Sequence, residues 1–259
     1  MKIFIPMAGK GTRLRPFTLT CPKPLINVLD KPIVEHLIDQ ITSKVKSNID
    51  EIVYILGDES YFNAEVVNSL NIISEKYNAK TKIYRQLEQL GTGHAIMCAE
   101  ESLSGPSIIA YADTMIQGNI EIDTQVDGIM WVKKVDNPSA YGVVNLDNEN
   151  KITELIEKPA EFISDLAVVG IYYFKEAANL RGYLRKHLSE KLSPGKEYLL
   201  NYGIEKMIKN GDSFVPKEID IWMDCGTPEL LLNSTKIIMD TYHVNVDENR
   251  VLDLSLIHI

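Results

Sequence analysis

Short runs of β-branched and other apolar residues alternate with longer helical patterns through the first half of the chain. The predicted strands are 2–6, 51–56, 82–85 and 107–112, and the predicted helices between them are 32–45, 61–77 and 92–103. Strands that are joined by helices run parallel in one sheet, with the helices packed on both faces. The pattern therefore predicts an α/β fold with a doubly wound, mostly parallel, Rossmann-like sheet.

The alternation of predicted strands and helices ends after Asp113. Four further predicted strands, 128–135, 142–146, 152–157 and 166–174, follow one another with no long helix between them. We interpret them as a mixed-sheet extension, which predicted helices over 175–188, 198–210 and from 228 onward then close.

Residues 6–25 form a loop rich in glycine, proline and basic residues, directly after the first predicted strand. Gly9 and Gly11 let backbone amides approach an anion, and Arg13, Arg15 and Lys23 add positive charge. No acidic residue lies between positions 1 and 29. Open α/β sheets bind ligands where their strands end, so this loop predicts a phosphate site.

Two common glycine-loop motifs do not fit these residues. A dinucleotide-binding GxGxxG fingerprint requires glycine at position 14, where the chain has Leu14. A Walker A loop requires the order Gly-Lys-Ser/Thr, whereas Lys10 precedes Gly11 here.

The loop resembles the leading motif of the sugar-1-phosphate nucleotidyltransferases, GxGTRLxPxTxxxPKPL, at every fixed position from Gly9 to Leu25. Weaker resemblance extends to about residue 234. The resemblance implies a nucleoside triphosphate and a sugar-1-phosphate as partners, with Arg13 and Lys23 as catalytic cations on the phosphates. It also implies a nucleotide site, whose residues are Ala8, Gly9, Gly11, Thr12, Gln86, Gly91 and Thr92.

The same resemblance implies a metal and a sugar pocket. Asp113 and Asp224 would hold Mg²⁺, an ion that takes one or two carboxylates together with substrate phosphates. The sugar phosphate would be bound by a set of residues in the second half of the chain: Gly142, Glu157, Lys158, Val168 and Gly170. Glu157 would accept hydrogen bonds from sugar hydroxyls, and the glycines would leave room for the ring.

Several positions bear on specificity. Gln86 offers both a donor and an acceptor to the amide edge of thymine or uracil, which favours dTTP or UTP. Val168 and Asp224 resemble the glucose-1-phosphate enzymes rather than the N-acetylglucosamine enzymes, which usually carry Asn at both positions. Asn201 and Tyr202 replace the Thr and Asp of a frequent family pattern, E-x-x-x-T-D.

Two alternatives remain at this stage. The run from Gly226 to Pro228 also resembles the mannose-1-phosphate guanylyltransferases, although Gln86 suits a pyrimidine better than a purine. A non-catalytic regulatory subunit on the same fold is the other alternative. Such subunits tend to lose catalytic cations or metal ligands. Here the two cations, Arg13 and Lys23, and the two acids, Asp113 and Asp224, are all present.

Bulk properties exclude some other classes. The formal net charge of −9 argues against a nucleic-acid partner, and no apolar segment is long enough to span a bilayer. Three cysteines without CxxC spacing predict reduced thiols, no structural zinc and a cytoplasmic location. The sequence is compatible with a homo-oligomer.

The last six residues, 254–259, match the translation of a transposon end used to prepare sequencing libraries, and we interpret them as read-through. Residues 1–240 would then form the catalytic domain, and 241–253 would begin a truncated C-terminal extension.

Overall fold

The computed structural model describes residues 1–45, 47–118 and 120–241. Residues 254–259, which we interpret as read-through, and all but the first residue of the predicted C-terminal extension lie outside these ranges. Within the described part, no helix combines the length and the apolar character needed to cross a bilayer.

The elements alternate through the first half of the chain and become mainly strands in the second half. In chain order the strands are β1 (Lys2–Pro6), β2 (Asn27–Val28), β3 (Lys31–Pro32), β4 (Glu51–Leu56), β5 (Lys80–Arg85), β6 (Ser107–Ala110), β7 (Thr114–Gln117), β8 (Gly128–Lys134), β9 (Gly142–Leu146), β10 (Ile152–Glu157), β11 (Leu166–Phe174), β12 (Phe214–Glu218) and β13 (Ile221–Asp224). The helices are α1 (Ile33–Lys44), α2 (Ala64–Glu75), α3 (Thr92–Met97), α4 (Ala177–Leu188), α5 (Leu200–Lys209) and α6 (Pro228–Thr241).

One nine-stranded sheet organises the described residues. Its main path has the order β10-β9-β11-β6-β1-β4-β5, and β8 joins it by pairing with both β11 and β12. Strands β6, β1, β4 and β5 run parallel to one another. The pairs β9–β10, β9–β11, β8–β11 and β6–β11 are antiparallel. This confirms the predicted doubly wound sheet with a mixed extension.

The connections place a crevice beside β1. The chain runs from β1 outward to β4 and β5 and then returns to the other side of β1 as β6. The loops after β1 and β6 therefore diverge at the carboxyl ends of two adjacent parallel strands. Ligands bind at such a switch point in open α/β sheets.

Alternating side chains of the central strands build the core on both faces of the sheet. In β1, Ile3 and Ile5 pack into the cluster that contains the apolar residues of α1 and α2. Phe4 packs on the opposite face, against the cluster formed with α3, α4 and α5. The alternation follows from the two-residue period of a strand, and burial on both faces explains why these strands are apolar throughout.

The predicted elements differ from the structure in three ways. The strand predicted over 107–112 ends at Ala110, because a turn closed by the bond from Thr114 N–H to Tyr111 O redirects the chain. The helix predicted over 92–103 ends at Met97 and continues as tight turns. Strands β2, β3, β7, β12 and β13 were not predicted.

Gly128 generates a stability prediction, because the ring of Phe214 lies against it across the β8–β12 pair. A Cβ at Gly128 would lie 2.0 Å from Cε1 of Phe214. We expect Gly128→Ala to lower the free energy of unfolding by about 1–3 kcal/mol, since the ring must move. Urea denaturation followed by circular dichroism measures this change.

Gly182→Ala is the matched control. Gly182 lies inside α4, and a Cβ there would have no heavy atom within 4 Å, so alanine should stabilise the protein by about 0.5–1 kcal/mol. A Gly128→Ala variant as stable as the parent would contradict the packing described here.

Candidate active site

Three adjoining cavities form one cleft at the switch point. Their volumes are about 240, 380 and 470 Å³, and Thr92 and Tyr111 line all three. We call them the base cavity, the phosphate cavity and the sugar cavity, after the groups that their residues were predicted to bind. The base cavity contains Ala8, Gln86 and Gly91, the phosphate cavity Gly11 and Lys23, and the sugar cavity Glu157 and Val168.

The loop after β1 lines the phosphate cavity in a backbone conformation that requires glycine. Gly11 has a φ of 60°, and the Thr18 hydroxyl donates a 2.7 Å hydrogen bond to its carbonyl oxygen. A Cβ at Gly11 would lie 3.0 Å from Thr18 Cγ2 and 3.1 Å from Lys23 Cβ. The glycine therefore lets the loop fold back over Thr18 and Lys23.

Backbone amides of this loop are available to a ligand. The amides of residues 8–13 donate no hydrogen bond within the part of the chain that the structure describes. The Arg13 side chain is exposed, lines both the phosphate and the sugar cavities, and makes no hydrogen bond or ion pair among the described residues. A run of unpaired N–H groups beside a guanidinium is a typical anion-binding arrangement.

Arg15 does not take part in this arrangement. The sequence suggested three cations from Arg13, Arg15 and Lys23, but the exposed Arg15 lines none of the three cavities. The loop is held instead by Tyr61, a residue that the sequence analysis did not single out. Its hydroxyl hydrogen-bonds the carbonyl oxygens of Thr18 at 2.7 Å and Cys21 at 3.0 Å.

Asp113 and Asp224, which are more than a hundred residues apart in sequence, lie on neighbouring strands. Asp113 precedes β7 and Asp224 ends β13, and these two strands pair antiparallel with Thr114 opposite Asp224. The amide of Cys225 donates a 3.0 Å hydrogen bond to the carbonyl oxygen of Asp113. Pairing of β7 with β13 therefore brings the two carboxylates to the same edge of the cleft.

The two carboxylates differ in their surroundings. Asp113 Oδ2 accepts a 2.8 Å ion-paired hydrogen bond from Lys23, whose side chain is buried. The pKa of Asp224 is raised, because burial penalises its charge and Asp113 repels it; the Gly226 amide, Lys23 and Arg13 offset only part of that effect. The site thus holds one neutralised carboxylate and one whose negative charge is disfavoured until a cation arrives.

This donor set suits a hard divalent cation that also binds substrate. No cluster of three or more His, Cys, Asp or Glu side chains placed to hold a metal occurs within the described ranges. Zinc or calcium would ordinarily require such a cluster. Mg²⁺ commonly takes one or two carboxylates and completes its shell with phosphate oxygens and water.

The base cavity has the buried amide side chain of Gln86 among its lining residues. Its Nε2 donates to Gly91 O at 3.0 Å and lies 3.0 Å from His94 Nδ1. Burial lowers the pKa of His94, which favours the neutral ring, and since an amide Nε2 can only donate, His94 Nδ1 is the acceptor of this bond. The Gln86 amide is thereby fixed, and its Oε1 makes no hydrogen bond in the described chain.

Gly91 and Thr92 anchor the turn that closes the base cavity. Gly91 has a φ of 114°, and a Cβ there would lie 2.6 Å from the carbonyl oxygen of Tyr198. Thr92 Oγ1 accepts a 3.0 Å hydrogen bond from the Leu200 amide. Both residues therefore hold the turn against the segment that leads into α5.

All five residues predicted for the sugar pocket line the sugar cavity. Gly170, however, makes room for protein rather than for a ring in the cavity: it has a φ of 90°, and a Cβ there would lie 2.6 Å from the Tyr111 ring. Lys158 also lies in the left-handed region, with a φ of 45°, a strained conformation of the kind found at functional sites. The predicted residues are Gly142, Glu157, Lys158, Val168 and Gly170.

Several lining residues belong to the stretches that carry the family resemblance but were given no individual role there. Tyr141 and Trp222 pack together with ring centroids 4.8 Å apart, and the Tyr111 and Tyr172 rings meet edge to face at 5.9 Å. Asn201 hydrogen-bonds Glu157. The signal for Asn201 was its departure from the family pattern, and the aromatic residues lie directly beside or within the resembling stretches.

The contrasting surroundings of the two aspartates generate a prediction. In metal-free protein, Asp224→Asn should raise the melting temperature at about pH 7, because it removes a disfavoured charge and keeps an acceptor for the Gly226 amide. Asp113→Asn should lower it, because Lys23 loses its ionised partner. Differential scanning fluorimetry with a chelator present measures both.

The sign of the pH dependence follows from the raised pKa of Asp224. At pH values well below the pKa of Asp224, position 224 is uncharged in both the parent and Asp224→Asn. The difference between their melting temperatures should therefore shrink as the pH falls from about 7 to 4. A constant difference across this range would refute the electrostatic explanation.

Known proteins resemble this chain in sequence and in fold. The model of the family described as nucleotidyl transferase matches residues 4–241. The bifunctional protein GlmU of Methanococcus maripaludis is 33% identical over 232 residues, which cover 88% of this chain and 52% of GlmU. The chain thus spans about half the length of that relative.

A second relative matches along nearly its whole length. The UTP–glucose-1-phosphate uridylyltransferase AglF of Haloferax volcanii is 30% identical over 239 residues, which cover 88% of this chain and 93% of AglF. A nucleoside-diphosphate-sugar pyrophosphorylase from Vibrio cholerae shares the fold, with a TM-score of 0.77, 19% identity and coverage of 90% of this chain and 99% of its own. The chain therefore belongs to the nucleotidyl transferase family, among the sugar nucleotidyltransferases.

Proposed function

We propose that this chain transfers a nucleotidyl group from dTTP or UTP to a sugar-1-phosphate, with glucose-1-phosphate favoured, and releases pyrophosphate. One observation supports this above the others. Arg13, Lys23 and Asp113 line the phosphate cavity together with the loop that has the free amides, and Asp224 joins Arg13 and Asp113 in the sugar cavity. The base cavity shares Thr92 and Tyr111 with both.

The proposed reaction is a single in-line displacement. An oxygen of the sugar phosphate attacks the α-phosphorus, a new P–O bond forms, the bond to the β-phosphate oxygen breaks, and pyrophosphate leaves. Arg13 and the loop amides would hold the β- and γ-phosphates, and Lys23 would offset charge gathering at the α-phosphate. These groups act by position and charge, so no covalent intermediate is required.

The other reactive side chains near the cleft support this view. Burial raises the pKa of the Cys225 thiol to about 12 and that of Tyr111 to about 12. Neither group is ionised near neutral pH, so neither is a ready nucleophile or base.

Asp113 and Asp224 would hold Mg²⁺ when the substrates bind. The ion would neutralise phosphate charge and orient the α-phosphoryl group between the two substrates. Asp113 would share its carboxylate between Lys23 and the ion, and Asp224 would gain a cation that favours its ionised form.

Two features support the proposed substrates. Gln86 Oε1, fixed by the bonds at Nε2, would accept a hydrogen bond from the N3–H of uracil or thymine. Val168 offers the sugar an apolar wall with no group to pair an N-acetyl substituent, which favours an unsubstituted sugar. The relative AglF carries a uridylyltransferase name.

Removing the phosphate-binding cations tests the mechanism. We expect Arg13→Ala and Lys23→Ala each to reduce kcat/KM by about a hundred- to thousandfold, the typical effect of losing one preorganised charge at the reacting centre. Arg15→Ala is the matched control, because Arg15 belongs to the same loop but lines no cavity. Coupled pyrophosphate release measures all three. Activity of Arg13→Ala and Lys23→Ala within about threefold of the parent would eliminate the mechanism.

A substrate panel tests the specificity. Pyrophosphate release is measured with each of UTP, dTTP, GTP, CTP and ATP against glucose-, mannose- and N-acetylglucosamine-1-phosphate. We expect UTP or dTTP with glucose-1-phosphate to react fastest, because Gln86 and Val168 suit them. Faster reaction with GTP and mannose-1-phosphate would indicate the guanylyltransferase type instead, and nucleotide binding without turnover would indicate a regulatory protein.

A further inference from the structure

Asn201 is a buried amide at the wall of the sugar cavity. It is the second residue of α5 and is 8% exposed. Its Nδ2 donates a 2.7 Å hydrogen bond to Glu157 Oε2, and its Oδ1 accepts a 3.4 Å hydrogen bond from the Tyr172 hydroxyl. A buried carboxamide is costly unless its polar atoms are paired, so Asn201 sits in a specific polar arrangement.

This arrangement orients Glu157, which lines the sugar cavity in addition to Asp113 and Asp224. Glu157 is exposed at the end of β10, where its side chain would otherwise sample many rotamers. The bond from Asn201 fixes Oε2 and leaves Oε1 with no hydrogen bond in the described chain. Gly142 lies against this pair, since a Cβ there would be 3.1 Å from Glu157 Oε2 and 3.5 Å from Asn201 Nδ2.

Asn201 is itself held from the nucleotide side of the cleft. The Leu200 amide donates to Thr92 Oγ1 at 3.0 Å, the Gly93 amide to Tyr198 O at 2.7 Å, and the Tyr198 amide to Leu90 O at 2.8 Å. The segment 198–201 therefore runs as a fixed link from the turn of the base cavity to the carboxylate of the sugar cavity.

Tyr202, the neighbouring departure from the family pattern, points away from the cleft. Its ring stacks on His187 with centroids 3.7 Å apart, and its hydroxyl donates to Glu190 Oε1 at 3.2 Å. Asn201 lines the sugar cavity, whereas Tyr202 does not. Of these two departures from the family pattern, Asn201 is therefore the one placed to affect sugar binding.

We propose that Asn201 is a positioning residue that aims Glu157 Oε1 at sugar hydroxyls and thereby sets selectivity for a pyranose with free hydroxyl groups. The inference rests on the proposed function for the identity of the ligand. A carboxylate only accepts hydrogen bonds, so Glu157 in this orientation recognises hydroxyl donors and discriminates against analogues that lack one. Because Asn201 differs from the Thr of the family pattern, this role belongs to the present chain.

Direct binding tests the role without requiring turnover. Sugar phosphates are titrated calorimetrically into the full chain with Mg²⁺ and a saturating α,β-methylene triphosphate, which blocks transfer. Asn201→Ala is expected to weaken binding of the tightest sugar phosphate by about ten- to hundredfold, the loss expected for a hydrogen bond to a charged group. Binding of the triphosphate analogue should change by no more than about twofold.

Asn145→Ala is the matched control. Asn145 Nδ2 donates a 3.1 Å hydrogen bond to Glu154 Oε2 across the same β9–β10 pair, but neither residue lines the cleft. Its loss should leave both affinities within about twofold of the parent. Tyr172→Phe provides a second probe, because it removes the hydroxyl that donates to Asn201 Oδ1; the same hydroxyl also interacts with that of Tyr111, so binding of the triphosphate analogue is measured alongside. This substitution should weaken sugar binding by about two- to tenfold.

Analogues in which fluorine replaces one sugar hydroxyl distinguish aiming from simple structural support. The parent should bind the analogue that lacks the hydroxyl facing Glu157 about tenfold more weakly than the unmodified sugar phosphate. In Asn201→Ala this difference in affinity should shrink to about twofold. Unchanged analogue penalties, or an equal loss of triphosphate affinity, would overturn the role. If Asn201→Ala does not fold, Tyr172→Phe decides on the same criteria.

The outcomes separate this inference from the proposed function. A parent that binds sugar phosphate but releases no pyrophosphate in the substrate panel would defeat the proposed function, and the binding series would still decide the role of Asn201. A parent that binds none of the three sugar phosphates would overturn the inference itself.

Discussion

The cleft depends on an imbalance of charge between two adjacent carboxylates. Asp113 is neutralised by the buried Lys23, while Asp224 is desolvated, repelled by Asp113 and only partly compensated. Two ionised carboxylates at one edge repel each other, and Lys23 and Arg13 offset only part of the cost at Asp224. A divalent cation bound there would relieve the rest of that repulsion.

The sheet topology makes this imbalance useful. The switch point beside β1 presents free amides from one loop, and the pairing of β7 with β13 brings the two carboxylates together. Gly9, Gly11 and Thr12 of that loop line the same cavity as Lys23 and Asp113. Such preorganisation matters in phosphoryl transfer because the protein acts there mainly through position and charge.

Much of the fold was predictable because its signals are local. Strands β1, β4, β9, β10 and β11 were predicted with their observed bounds, since their apolar runs are clear. The missed strand β12 contains Pro216, which argues against a strand unless it lies at an edge, and β12 pairs only with β8. Strands β7 and β13 have four residues each and are stabilised by a partner about a hundred residues away, so no local pattern marks them.

The sequence alone determined the chemical inventory and the central sheet: a basic glycine loop after the first strand, candidate acids, and an alternation of strands and helices that implies parallel pairing. These follow from residue type and short-range spacing. Only the tertiary structure decided which groups meet. In the structure Lys23 pairs with Asp113, and Asp224 lies on the strand beside them. Arg15 lies outside the cavities, and the Tyr111 ring occupies the space at Gly170. Asn201 hydrogen-bonds Glu157. Those contacts join residues far apart in the chain, and their geometry arises from strand pairing and packing that spacing along the sequence does not encode.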